Sequence, residues 1–434
     1  MGNRGHAPIS RAIALAGLLL ISISGSSQTS SSPVPIGFPL NLWLEHKQVT
    51  QIPWVASVSK VRLRSDFRQE LSIWVGANPI DSGSHDFIFF ARAIKGDKAI
   101  TEIHSETPSL RPAMPVPFSP GVYWMAIVRP GKYKLELAMF DRATGRYSTR
   151  YEDFSVTGDE NDPLEQSFRS YPEFEFAEKA KVEDRELPSI DSMISVMVNR
   201  TIGNSRNPGQ MPPNLSTGDG YVSTGPPSSF VIDKPGTLHL SVITIVSPPE
   251  VALGEPYYLS LFHGNLKSLL SVFRRIHVVR GSAKLTAVDL ANRTLVLDRR
   301  DMEDVTPDMI KSAIDADVNT VSIDALKGSA DSARFFQDVL RSHVEAAQKE
   351  AAGAEHVIIV VAARSDFPKG SVVLPPSSAQ DCRCRVIYMR FALRPTETDD
   401  LDNLLKPYKP RVFEPLDLPQ FRKDFGTIYQ QLVR

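Results

Sequence analysis

Cysteine is nearly absent from this 434-residue chain: Cys382 and Cys384 are the only two. That excludes a disulfide-framework scaffold and a cysteine-rich zinc protein. Neither sign of charge is in excess, because 49 Lys and Arg stand against 50 Asp and Glu, for a net charge of −1. The balance excludes a globally basic nucleic-acid binder and an acidic tail protein. No Gly-x-Ser-x-Gly elbow and no His-Glu-x-x-His helix occurs, and the nine histidines are scattered. Ser57 and Lys60 form a Ser-x-x-Lys that lacks its companion motifs. Long hydrophobic runs are missing too. Residues 12–23 fall short of the ~20 residues that cross a bilayer, and the runs at 238–246 and 357–363 have only strand length.

The run at 12–23 has a context of its own. Arg4 and Arg11 stand before or at its start and small residues fill 24–27, the order of a secretory signal. Residues 1–27 therefore read as a signal peptide, either cleaved or retained as an anchor, and the expected location is secreted or periplasmic. Residues 28–49, rich in Ser and Pro, read as a flexible leader.

Residues 50–157 read as strands. Tyr133, Leu135, Leu137 and Met139 alternate with Lys134, Glu136 and Ala138, the period of a half-buried strand. A turn at 142–145 returns the chain through 147–156 as a hairpin, and 58–63, 70–75 and 87–93 are further short β-rich runs. This spacing implies an antiparallel β-sandwich of Ig-like type. Residues 158–236 read as a Pro/Gly/Ser-rich linker: 22 of the 31 residues in 199–229 are Gly, Pro, Ser, Thr or Asn. Such a segment buries too little apolar surface to offset its ordering entropy. The charged piece at 173–186 is expected to form a short helix.

Residues 237–434 alternate strand and helix. Apolar strands are expected at 238–246, 357–363 and 385–393, with a hairpin over 284–297. Helical spacing runs through Leu259, Phe262, Leu266, Leu269, Leu270, Phe273 and Ile276. Thr306 and Pro307 open another helix as N-cap and first residue. A helix from about residue 332 carries Phe336, Leu340 and Val344, and a last one carries Phe421, Phe425, Ile428, Tyr429 and Leu432. His343 and His356 are expected at or beside a helix surface. Buried strands alternating with amphipathic helices imply a doubly wound, mostly parallel α/β sheet.

The order of these elements, and the strand VIIVVAARSD at 357–366, resemble a von Willebrand factor A-type domain. The segment RPGKYKLELAMFDRATGRYSTRYEDFSV at 129–156 resembles the Ig-like part of secreted bacterial, acidobacterial-type von Willebrand factor A-related proteins. The resemblance implies a protein-binding domain whose upper face holds Mg²⁺ through Asp-x-Ser-x-Ser, a Thr and a later Asp. Here the first strand runs into Ser247, Pro248, Pro249 and Glu250 with no Asp from 238 to 250. Thr320 and Asp366 are the nearest counterparts of the other two ligands. Ser247, Glu250, Thr320, Arg364, Ser365 and Asp366 thus define the candidate binding face, read as metal-free and without a cofactor. Any of Arg364, Arg383, Arg385, Arg390 and Arg394 that lie on the upper face would offer contacts to an anion in place of the ion. Cys382 and Cys384 are either two loop thiols or a disulfide that requires a local turn.

The functional expectation is an exported, non-catalytic binding protein. Its partner is another protein or an envelope component, with no nucleic acid and no membrane span in the mature chain. The alternative is a hydrolase whose site is assembled between the domains without a motif. Limited proteolysis should cut first within 199–229. A first stable fragment ending inside 238–434 would overturn the division into two domains.

Overall fold

The computed structural model describes residues 40–45, 49–64, 66–77, 84–106, 121–158, 162–179, 221–222, 229–247, 266, 269–318, 329–349, 353–365, 367, 383–391, 399–415 and 417–434. The expected signal segment of 1–27 and most of the expected linker lie outside them. No described helix is long and apolar enough to cross a membrane.

Two antiparallel sheets face each other in the first half. One has β5 (Lys98–Glu106), β4 (Phe87–Lys95), β7 (Gly131–Asp141) and β8 (Tyr147–Val156) in that order. The other has β1 (Trp54–Val58), β3 (Gln69–Ala77), β6 (Gly121–Val128), β9 (Phe174–Lys179) and β10 (Tyr221–Val222), with β2 (Arg62–Leu63) on the flank of β3. Side chains alternate across each strand. Phe87, Phe89, Leu135 and Leu137 point into the core with Ile73, Trp124 and Phe174. Ile88, Phe90 and Ala138 point the other way, onto α1 (Leu40–Glu45). There Trp43 stacks on Phe140 at 4.8 Å and on Tyr147 at 5.2 Å. Part of the expected leader is therefore a docked helix, because its apolar residues cover the outer face of a sheet.

The segment expected to be a helix at 173–186 instead starts with strand β9. Its six residues, FEFAEK, alternate with period two, and Phe174 and Phe176 join the sandwich core. The sandwich thus recruits residues beyond 157.

The second half centres on a six-stranded sheet. Its order is β15 (Thr294–Asp301), β14 (Gly281–Asp289), β12 (Leu238–Ser247), β16 (Glu355–Ala363), β17 (Cys384–Phe391) and β18 (Arg411–Phe413). All neighbours are parallel except the β14–β15 hairpin. A small parallel pair, β11 (Phe230–Ile232) with β13 (Ile276–Val278), stands beside it. The helix expected through 276 stops by Phe273, since Ile276 enters β13.

Both faces of the sheet are covered. Leu240, Val242, Val357, Ile359 and Met389 meet the 269–273 helix, α2 (Pro307–Val318) and α5 (Leu418–Val433). Ile243, Ile245, Ile358, Val360 and Tyr388 meet α3 (Ser329–Lys349) and α4 (Asp400–Leu405). Thr306 caps α2, its hydroxyl accepting from Met309 N at 3.2 Å. His343 is buried under the sheet and not at a helix surface, with Nε2 3.1 Å from Thr286 Oγ1. Burial, helped by the Arg299 charge, pushes its pKa down to about 4.

One turn of the sandwich joins the halves. Phe67, at φ 65°, is 1% exposed and sits in an aromatic socket of Phe230, Phe421 and Phe425 at 5.2–6.4 Å. A bulky side chain at positive φ is strained. The neighbouring Asp66 holds the turn: it accepts from Arg68 N at 3.1 Å, pairs with Arg68 Nη2 at 2.7 Å and with Arg64 Nε at 3.3 Å. Burial raises the Asp66 pKa, but the charges of Arg64, Arg68 and Arg275 outweigh it and hold the carboxyl well below the usual range. Gly426 of α5 lies so close to the connector that an added Cβ would fall 2.8 Å from Pro163 Cγ.

Acid should destabilise the protein in two limbs. Unfolded histidine binds its proton near pH ~6.5, whereas native His343 resists down to about 4. Stability is lost as pH falls between those values. Asp66 contributes only above the unfolded carboxyl range of about 3.9, and that contribution is lost below it. Asp66→Asn should remove the second limb, cost about 3–5 kcal/mol and split the calorimetric transition in two. A single unshifted transition would refute this account of the interface.

Candidate functional site

The carboxyl ends of parallel strands, where the strand order reverses, form the natural ligand crevice of an open α/β sheet. Here the order reverses between β12 and β16. Three of the expected face residues come to this edge. Ser247 ends β12 and is fully buried, its carbonyl accepting from Leu290 N at 3.3 Å. Arg364 and Ser365 follow β16. The buried Ser365 hydroxyl donates to Ala363 O at 3.2 Å, and its carbonyl accepts from Asp400 N at 2.9 Å. Asp400 Oδ2 in turn accepts from Phe367 N at 2.8 Å, which clamps the loop after β16 to the start of α4. Glu250, Thr320 and Asp366 lie outside the described residues.

The charges at this edge form one network. Arg364 Nη2 pairs with Glu414 Oε1. Arg390 donates from Nε to Glu414 Oε2 at 3.0 Å and from Nη2 at 2.9 Å, and reaches Asp399 Oδ2 from Nη1 at 3.3 Å. The Tyr388 hydroxyl donates to Asp399 at 3.2 Å, and Asp399 caps α4 by accepting from Asp402 N. Burial, with the adjacent Asp399 charge, lifts the Tyr388 phenol well above its ordinary value. Burial also raises Asp399, against the pull of Tyr388 and Arg390. Arg390 loses to burial but gains more from Glu414 and Asp399, so its pKa rises.

Strand periodicity explains part of this assembly. Tyr388 and Arg390 are two residues apart on one strand and share a face, and β16 places Ala362 beside Arg390 in register. Glu414 comes from beyond the three-residue β18, and no local pattern marks it. Of the arginines grouped by sequence, Arg385 sits at the opposite end of the sheet, donating to Glu355 at 2.7 Å. Arg394 lies outside the described residues. Cys384 is disulfide-bonded, and Cys382, the chain's other cysteine, lies outside the described residues. His356 is buried and not on a helix surface, stacked on His239 at 5.1 Å.

Among the described residues, the donor set at the edge does not fit Mg²⁺. That ion requires near-octahedral oxygen ligands with a carboxylate close by. Ser247 is fully buried, the Ser365 hydroxyl bonds the backbone, Asp399 and Asp400 are committed to Tyr388, Arg390 and the Phe367 amide, and two guanidinium groups occupy the same edge. Among the described residues no three His, Cys, Asp or Glu side chains are grouped to hold a metal.

No family model matches the chain, and no curated protein matches it either. Among solved structures it is similar to a calcium-binding mutant of Bacteroides uniformis β-glucuronidase 2, at 10% identity and a TM-score of 0.19, over 86% of this chain and 39% of that one. The same enzyme bound covalently to cyclophellitol-6-carboxylate aziridine gives 10% identity and 0.18, over 81% and 38%. A Parabacteroides merdae β-glucuronidase gives 8% and 0.15, over 82% and 40%. The chain spans about two fifths of the length of these structures, and scores this low carry no argument about fold or activity.

Proposed function

We propose that the chain is an exported, non-catalytic binding protein in which an Ig-like sandwich carries a von Willebrand factor A-like domain that works without a metal. The partner is a protein or envelope component that presents a carboxylate to the edge of the parallel sheet. The observation that carries this reading is the convergence of Arg364 and Arg390 on Glu414. Guanidinium pairs bind carboxylates by charge-assisted bonds, and Glu414 occupies the place that an acidic group of a partner would take in exchange. The strand order and the antiparallel β14–β15 edge support the A-type reading, and the two facing antiparallel sheets support the sandwich. The alternative of a hydrolase site between the halves would draw on Asp162 and Glu165. These carboxylates are held by Arg422 and Arg129, which favours binding.

The mature chain, immobilised and challenged with an envelope fraction, should retain its partner equally in EDTA and in millimolar Mg²⁺, and release it as salt rises. Arg364→Gln should weaken retention at least about ten-fold, the size of one lost charge-assisted hydrogen bond, while Glu414→Gln keeps it. Retention that depends on the ion and disappears in Asp366→Ala would sink the proposal.

A further inference from the structure

A row of polar side chains crosses the parallel sheet at its amino-terminal edge, the end remote from the Arg364–Glu414 network. β14, β12, β16 and β17 are in register there. Ser282 pairs with His239, His239 with His356, and His356 with Cys384. Residues on one register line of a parallel sheet share a face. This face is the one that α3 covers further along, where Ile243, Ile358 and Val386 lie. His239 Nδ1 is 2.9 Å from Ser282 Oγ, and the two imidazoles stack at 5.1 Å, 16° from parallel. His356 is buried, whereas Ser282, His239 and Cys384 are half-buried, so solvent reaches the row at both ends.

Cys384 carries a disulfide, and no cysteine is free. Cys382 is the other cysteine of the chain, so the bridge closes a loop of only Cys382, Arg383 and Cys384. A disulfide stabilises by removing loop-closure entropy from the unfolded chain, and the gain grows with loop length. So short a loop lies at the bottom of that scale, and hydrophobic cores already hold both faces of this sheet. Stapling the fold therefore does not account for the bridge. Its surroundings favour chemistry instead, because cations and imidazoles beside a cysteine stabilise the thiolate that leaves when a disulfide opens. Arg383 and Arg385 flank Cys384 in sequence, and Lys234 and Arg385 both pair with Glu355, two cations against one carboxylate. His356 stands on the next strand, and such strands lie about 4.7–4.9 Å apart.

We propose that Cys382–Cys384 is an exchangeable disulfide that oxidises cysteinyl thiols at the amino-terminal edge of the sheet. A substrate thiolate attacks Cys382 Sγ. A new S–S bond forms, and the old one breaks with its electron pair left on Cys384 Sγ. His356 donates an N–H to that thiolate, with its ring held by the stack on His239, and the sulfur takes up the proton that the substrate lost. A second thiolate attacks the substrate sulfur of the mixed disulfide, and Cys382 leaves as a thiolate that gains the second proton. Two thiols thus become one disulfide, and the chain ends two electrons and two protons richer, as a dithiol that another disulfide reoxidises. The chain is a stoichiometric reagent in this exchange, and its partner-binding edge takes no part.

The test incubates the full mature chain, oxidised and without denaturant, with millimolar reduced glutathione at neutral pH. Samples are quenched in acid, and free thiols are counted by mass after alkylation. The expected result is reduction of both cysteines within minutes, with one oxidised glutathione formed per chain and the near-ultraviolet circular dichroism unchanged. Cys384→Ser, treated with oxidised glutathione, should carry one glutathione on Cys382. In Cys382→Ser, iodoacetamide should modify Cys384 about three-fold or more faster than when His356→Gln is added, the net of a larger thiolate fraction and a lower nucleophilicity. The first arm uses the unaltered chain and decides the matter even where a variant fails to fold. A disulfide that resists glutathione for hours until denaturant is added, loss of the tertiary signal on reduction, no adduct on Cys382, or equal alkylation rates with and without His356 in folded chains would overturn the proposal.

Discussion

A carboxylate enclosed by arginines at a domain boundary is stable only while the whole charge group stays together. Asp66 is in that position, and the rest of the molecule is arranged around it. Its bonds to Arg64 and Arg68 hold a turn tight enough to keep Phe67 at positive φ, and that conformation drives the phenyl ring into the core of the other half. Arg275 adds its charge from across the boundary. With the ring seated, α5 is fixed against the connector at Gly426 and Pro163, and the walls of the cleft between the two halves are set. The strain at one residue is thereby compensated by burial of an aromatic cluster that draws on both halves.

The elements most legible in the sequence were those whose neighbours are all of one kind. β12 and β16 are continuous apolar runs because helices cover both faces of the sheet, and α5 repeats its apolar residues along one stripe. The hairpin of β7 and β8 was legible because one side of each strand is more polar than the other. β9 was not: six residues with two phenylalanines, inside a charged stretch, give too short a period to distinguish strand from helix, and its partner β6 decides the matter from far away in sequence. α1 escaped for the same reason, since what orders it is the outward face of β4 and β7.

The site divides along similar lines. Ser247, Arg364 and Ser365 could be placed at the sheet edge because strand ends are local features. Their state could not. Both serines are buried, the Ser365 hydroxyl bonding the backbone, and Arg364 is neutralised by Glu414, fifty residues further on. Ion pairs between distant segments leave no periodic trace. His343 teaches the same lesson: its helix was visible, but only the packing of that helix on β14 made a surface histidine into a buried neutral one.

The path of the chain has a further consequence. It leaves the sandwich after β8, presses Leu164 and Phe168 into the second half, returns as β9, and then departs again toward β11. The socket for Phe67 is completed by the final helix. Contacts between residues this far apart in sequence cannot form until α5 has been synthesised, and closing such loops slows folding. Until α5 docks, the Phe67 ring and its strained charged turn remain on the surface of the sandwich as an adhesive end for anything that assists folding or interferes with it.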